Sequence, residues 1–364
     1  VNSLGRLRFT QGQLDEADVH FRRALEIRER TLPPDHPDLA SSLNHLAFLL
    51  TNQGRYDEAE PLHLRGLEIE EKVLGPNHPS LVMGLTTLGA LYHSQARYDE
   101  AEPLLRRALA IREQTLEPDH PDIAGSLVNL ANVLVSLGAY GEAEALLQRC
   151  LVIQEKALGP DHPKQAMGLS NLAWLYQEQG RYEEAEPLYR RALGIFEGVF
   201  GANHLNNAEI LKGLGFIASE QERYDEAAAI YQRALDIRES ALGPDHPEVA
   251  SILSLFADSY SAQGRLQEAE RFHRRALGIW EQTLGPEHPT VATSLEGLGK
   301  VLTERGRYDE AETLYERALA IREAQTPGDV EALHESLAAY ARLLQAAGKE
   351  AEAREIEARV EAPS

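Results

Sequence analysis

Among 364 residues there is a single cysteine, Cys150, so no internal disulfide can staple this chain, and a reducing compartment, the cytoplasm, is expected. No run of about 18 apolar residues occurs, which excludes a membrane-spanning helix. Positive charge is scarce: 36 basic residues face 58 acidic ones, and the formal charge of −22 repels phosphate backbones and anionic lipid. Nucleic acid and membrane surfaces are therefore not expected as partners. Lysine is rarer still, since thirty of the basic residues are arginine; with abundant Ala, Leu and Gly this points to a GC-rich bacterial genome. The start, VNSLGRLRF, has neither a signal-peptide profile nor an initiator Met, so the chain is expected to continue upstream. No segment reads as a strand. What is present, 43% hydrophobic and 26% charged residues, is the composition of a globular protein.

The dominant feature is a period. GPDHP stands at 159–163 and again at 243–247, with variants at 33–37, 75–79, 117–121, 201–205 and 285–289. Their histidines, His36, His78, His120, His162, His204, His246 and His288, follow one another at a constant 42 residues. A fixed period of this length signals a repeat architecture. Within each unit, a segment such as LASSLNHLAFLLTNQG (39–54) places Leu43, Leu46, Ala47 and Leu50 on one helical face. Glycine closes it at Gly54, Gly138, Gly180, Gly264 and Gly306. A second helical segment follows, YDEAEPLHLRGLEIEEKVL (56–74), acidic at its start, as the helix dipole favours. Pro61, Pro103 and Pro187 are expected near its first turn, where a missing N–H costs least. The DEAE acids are expected to face solvent.

Small residues mark where the two helices cross. One column of the first helix reads Ala47, Gly89, Ala131, Ala173, Gly215, Ala257, Gly299 and Ala341. One column of the second runs from Ala17 through Ala59 and Ala101 to Ala353. Close helix approach requires such positions to lack bulk. Tyr56, Tyr98, Tyr140, Tyr182, Tyr224 and Tyr308 fill the gap beside the turn.

LxxLA followed by GRYDEAEPLYRRALxIRExxLGPDHP, as in 169–173, 180–193 and 237–247, resembles the tetratricopeptide repeat in the long form of kinesin light chains. The resemblance covers essentially the whole chain and implies an all-α solenoid of antiparallel helix pairs, wound as a right-handed superhelix. About nine pairs form a single array over 1–364, the first truncated at Val1. The last pair, 327–364, departs from the pattern: Glu350 replaces Tyr, the loop TPGDVEA (326–332) lacks His and Pro, and the polar end suits a cap.

Stacked helices lie roughly 8–10 Å apart, so equivalent histidines cannot share a metal held at about 2 Å per ligand. The histidines are therefore structural, with Gly ending one helix, Pro starting the next, and the loop Asp expected to bind backbone N–H groups. Other apparent chemistry fails similarly. GLGFIA (213–218) matches a dinucleotide fingerprint without the strand that must precede it. Cys150 sits in a column of Gly and Ala and reads as a buried thiol. No nucleophile elbow, P-loop or metal-spaced cluster exists, so no catalysis, cofactor or metal is expected.

The resemblance implies that the first helix of each pair lines a concave groove that binds a peptide or protein segment. Its variable columns supply the candidate residues: Asn44, His45, Phe48, His93, Asn129, Asn132, Asn171, Trp174, Lys212, Phe216, Lys300 and Arg342. Asn129 and Asn171 match the family's groove asparagines, whose carboxamides pair with a peptide backbone whatever its sequence. Trp174 and Phe216 would add apolar contact. The Lys/Asn pattern used to grip a chaperone's terminal carboxylate is absent, since Phe216 and Leu255 stand where Asn is needed. The alternative expectation is a sensor or regulatory arm of a larger bacterial protein carrying an ATPase, kinase or protease domain. Self-association through the truncated first repeat is a third.

Overall fold

The computed structural model describes residues 2–325 and 330–361, and among these every regular element is an α-helix. Pro327 and most of the atypical loop at 326–332 lie outside the described residues. Two units separate, Val1–Arg181 and Tyr182–Ser364. The first holds α1 (Asn2–Thr10), α2 (Leu14–Thr31), α3 (Pro37–Asn52), α4 (Tyr56–Leu74), α5 (Leu81–Ser94), α6 (Tyr98–Thr115), α7 (Pro121–Ser136), α8 (Tyr140–Leu158) and α9 (Pro163–Glu178). The second holds α10 (Tyr182–Phe200), α11 (Leu205–Glu220), α12 (Tyr224–Leu242), α13 (Pro247–Ala262), α14 (Leu266–Leu284), α15 (Pro289–Glu304), α16 (Tyr308–Gln325), α17 (Val330–Ala346) and α18 (Glu350–Glu361). Within each unit, successive helices pack as an α-solenoid.

The repeated histidine is a helix cap. His36, His120, His162, His204, His246 and His288 are the N-caps of α3, α7, α9, α11, α13 and α15. Each Nδ1 accepts the backbone N–H two residues on, as from Asp38 at 3.1 Å and Lys164 at 3.1 Å. His78 accepts from Ser80 N at 3.2 Å in the same way, just before α5. An unprotonated ring nitrogen thus does the work expected of the neighbouring Asp. Asp35 and Asp119 instead pair with Lys72 and Lys156.

Each first helix ends in a left-handed residue, usually Gly, as at Gly54 (φ 73). Arg55 N–H then bonds back to Leu50 O at 2.9 Å, a Schellman closure. Ala96 (φ 57) and Glu222 (φ 59) hold the same conformation with a side chain. Pro61, Pro103 and Pro187 lie deeper than expected, at the sixth residue of their helices. The prolines are tolerated there because that face is exposed, so water can reach the carbonyl each leaves unbonded.

Ala47 and Ala59 are fully buried where α3 crosses α4. At Gly215 a Cβ would come 2.7 Å from Tyr231 Cε1, so the buried tyrosine ring dictates the glycine.

One expectation about the DEAE segments is overturned in part. Asp57 and Glu58 are exposed as expected, but the last acid of each segment is drawn inward and receives a cation from the following repeat: Arg97 on Glu60 at 2.7 Å, Arg181 on Glu144 at 2.8 Å, Arg223 on Glu186 at 2.6 Å, Arg307 on Glu270 at 2.9 Å and Lys349 on Glu312 at 2.6 Å. Further pairs join successive second helices, including Arg106–Glu142 at 2.6 Å and Arg275–Glu239 at 2.7 Å. These ladders fix the stacking of repeats, although each exposed pair contributes only about 0–1 kcal/mol.

Candidate functional site

Odd-numbered helices within a unit pack on the next odd-numbered helix, from α1 on α3 to α7 on α9, and from α11 on α13 to α15 on α17. Among the described residues no even-numbered helix brings its backbone as close to the next even one, and long ion-paired side chains span the wider gap. The odd helices therefore form the inner side of each unit, where clefts open.

In the first unit, a cleft of about 620 Å³ lies between α1, α3 and α5 and gathers Asn44, His45 and Phe48. Phe48 is 43% exposed and its ring tilts on Phe9 at 5.5 Å. His45 stacks on Phe21 at 5.7 Å and its Nδ1 meets Ser41 O, while burial lowers its pKa. Asn44 Nδ2 donates to Glu70 Oε1 at 2.9 Å. His93 lies outside this cleft, half-buried against the Tyr98 ring at 5.4 Å and 3.4 Å from Ser136 Oγ.

A second cleft in that unit, about 300 Å³, brings Asn129 of α7 and Asn171 of α9 together with Gln154 of α8. Gln154 Oε1 is buried there without a hydrogen bond. Asn132 and Trp174 are half-buried and do not line it.

The second unit has a cleft of about 770 Å³ that unites Lys212, Lys300 and Arg342 from α11, α15 and α17. Lys212 pairs with Glu209 at 2.6 Å. Phe216 is not part of its lining and meets the Tyr182 ring edge-on at 6.2 Å. At the floor lie His273, only 3% exposed, and Glu296, whose pKa is raised by burial. His273 Nε2 is 3.4 Å from Asp258 Oδ1, without hydrogen-bond alignment.

Attention to the first helix alone misses Glu70, Gln154, His273 and Trp280, which reach the clefts from second helices. One signal was available. The column Arg28, Glu70, Arg112, Gln154, Phe196, Arg238, Trp280, Arg322 departs from its recurrent arginine at Glu70, Gln154 and Trp280. Cys150, by contrast, is fully buried and its thiol is pushed up to about 12, which makes it inert.

The sequence matches the tetratricopeptide repeat at residues 38–114, 85–151, 122–198, 175–240, 206–282 and 248–324, and a second form of that repeat at 2–38. The chain belongs to the tetratricopeptide repeat family. Its repeats recur every 42 residues. The chain is 27% identical to a putative kinesin light chain from Podosopora anserina with nearly identical TPR-like repeats, over 57% of this chain and 98% of that one, with a TM-score of 0.47. RapI in its apo form is 15% identical over 79% and 99%, with a TM-score of 0.62. A tetratricopeptide repeat protein from Parabacteroides merdae is 18% identical over 82% and 98%, with a TM-score of 0.54. The last two show the fold alone. None of the curated proteins matches. Tetratricopeptide repeats are generally non-catalytic scaffolds for protein–protein interaction. Among the described residues no helix is long and apolar enough to cross a membrane.

Proposed function

We propose that the inner, odd-helix side of this protein holds an extended segment of a partner protein, without catalysis. The observation that carries this is the convergence of Asn129 and Asn171, from successive repeats, on one cleft. Two carboxamides 42 residues apart present the same donor–acceptor pair at successive steps of the stack, which suits a peptide backbone running along it. The surrounding scaffold is strictly periodic, so the residues that vary at the clefts are those free to be selected for a ligand.

The test starts from randomised peptides of about twelve residues displayed on phage and selected on the full chain. Enriched peptides are synthesised and titrated against the wild type and the double variant Asn129→Ala, Asn171→Ala. A lost hydrogen bond to a buried peptide group costs about 1–3 kcal/mol, so binding should weaken at least about tenfold with the helical circular dichroism unchanged. Selection of no peptide, or equal affinity for a folded double variant, would move the binding surface elsewhere.

A further inference from the structure

We propose that the cleft between α1, α3 and α5 receives a lysine or arginine side chain of the bound segment, its stem against Phe9, Phe48 and Met83 and its cation on Glu70. This rests on the reading that the odd-helix side holds a protein segment.

Glu70 inverts a charge that other repeats use internally. Arg28 Nη1 donates to Asp38 O at 2.6 Å and Ser42 Oγ at 2.7 Å; Arg112 Nη1 repeats this on Asp122 O and Ser126 Oγ, both at 2.7 Å. Arg238 bridges to Glu209 and Glu248, and Arg322 to Thr293. In the second helix pair the arginine is replaced by Glu70, and the serine opposite is Gly84. The bridge that ties a second helix to the next first helix is gone, and a carboxyl group stands there.

That carboxyl group is half satisfied. Oε1 takes the bond from Asn44, but Oε2 is shielded and carries no hydrogen bond, and neither does Asn44 Oδ1. Both free groups are acceptors, so a donor is the missing chemistry. Burial also raises the carboxyl's pKa, the state of an acid without a cation beside it.

The walls fit a long aliphatic stem. Met83 is 74% exposed and Phe48 43% exposed, and both line the cleft, a soft thioether and a ring. Lysine and arginine carry three or four methylenes before the charge, so stem and head can be served by wall and floor together. The volume of about 620 Å³ lies within the range of small-ligand sites. Arg6 also lines the cleft, where it acts on His45, and the charge of −22 draws a basic segment from a distance.

The phage selection on the full chain supplies the probe, synthetic peptides of known sequence. Enrichment of lysine or arginine at one peptide position is expected. Norleucine at that position, and separately Glu70→Gln in the protein, should each weaken binding at least fivefold, and together no further. Glu70→Gln is near-isosteric and is checked by circular dichroism. Phe48→Ala, checked for an unchanged fold by circular dichroism, should weaken the same peptides at least threefold. Peptides that bind with no basic preference, or that respond to the Asn129/Asn171 pair but not to Glu70→Gln, overturn this inference while the odd-helix side remains the binding surface. Failure to select any peptide overturns both.

Discussion

His63 makes the folded protein acid-sensitive by a calculable amount. Its side chain, from α4, is 1% exposed, and its ring nitrogens lie 3.4 Å from Thr51 Oγ1 and 3.5 Å from Thr87 Oγ1. Those hydroxyls donate to Ala47 O and Met83 O, each at 2.9 Å. Burial lowers the imidazole pKa from 6.5 to about 4. Between those values the unfolded chain binds a proton that the folded chain refuses. Stability therefore falls as pH drops from 6.5 toward 4, and nothing is lost above 6.5. At about 1.4 kcal/mol per pH unit the full loss is about 3 kcal/mol. The control is written in the repeat itself: Leu105 and Leu147 occupy the equivalent place, so His63→Leu should pack and should not titrate. Urea unfolding followed by circular dichroism at pH values from about 7.5 down to about 4.5 would show the wild type losing ground against His63→Leu. His45 and His93, also lowered by burial, are common to both chains and cancel. Parallel loss in the two chains would refute the reasoning.

Two further outcomes follow from the turns and caps. His162→Ala removes the acceptor for Lys164 N–H and should cost about 1 kcal/mol, read as a lower unfolding midpoint; His162→Asn should restore most of it, and equal midpoints for all three would deny the capping role. Glu222→Gly relieves a side chain held at φ 59 and should raise stability by about 1 kcal/mol, measured by thermal melting; a lower melting temperature would show that Glu222 makes a contribution the backbone strain conceals.

Much of this protein was legible because a helix writes its buried face into local spacing. Leu43, Leu46, Ala47 and Leu50 announce α3 on their own, and the 42-residue period multiplies the signal until pairing and stacking follow. The convergence of Asn129 and Asn171 was legible for the same reason, since residues one period apart occupy equivalent places in adjacent repeats. The role of the histidines was only half legible. Their place in the loops was plain, but whether His or the preceding Asp caps the helix depends on side-chain reach and backbone angles, with His162 in extended conformation at ψ 141. The charged ladders were not legible at all. Glu60 and Arg97 are 37 residues apart, and nothing in either helix says that a turn of one repeat meets the second helix of the previous one. The same holds for Glu70: its helix pattern marks a position near the packed face, but only the stacking of α4 against α3 and α5 carries its carboxyl group to the floor of a cleft. Periodicity fixes which side of a helix is buried; the geometry of stacking decides which polar groups from neighbouring repeats then meet, and which one is left without a partner.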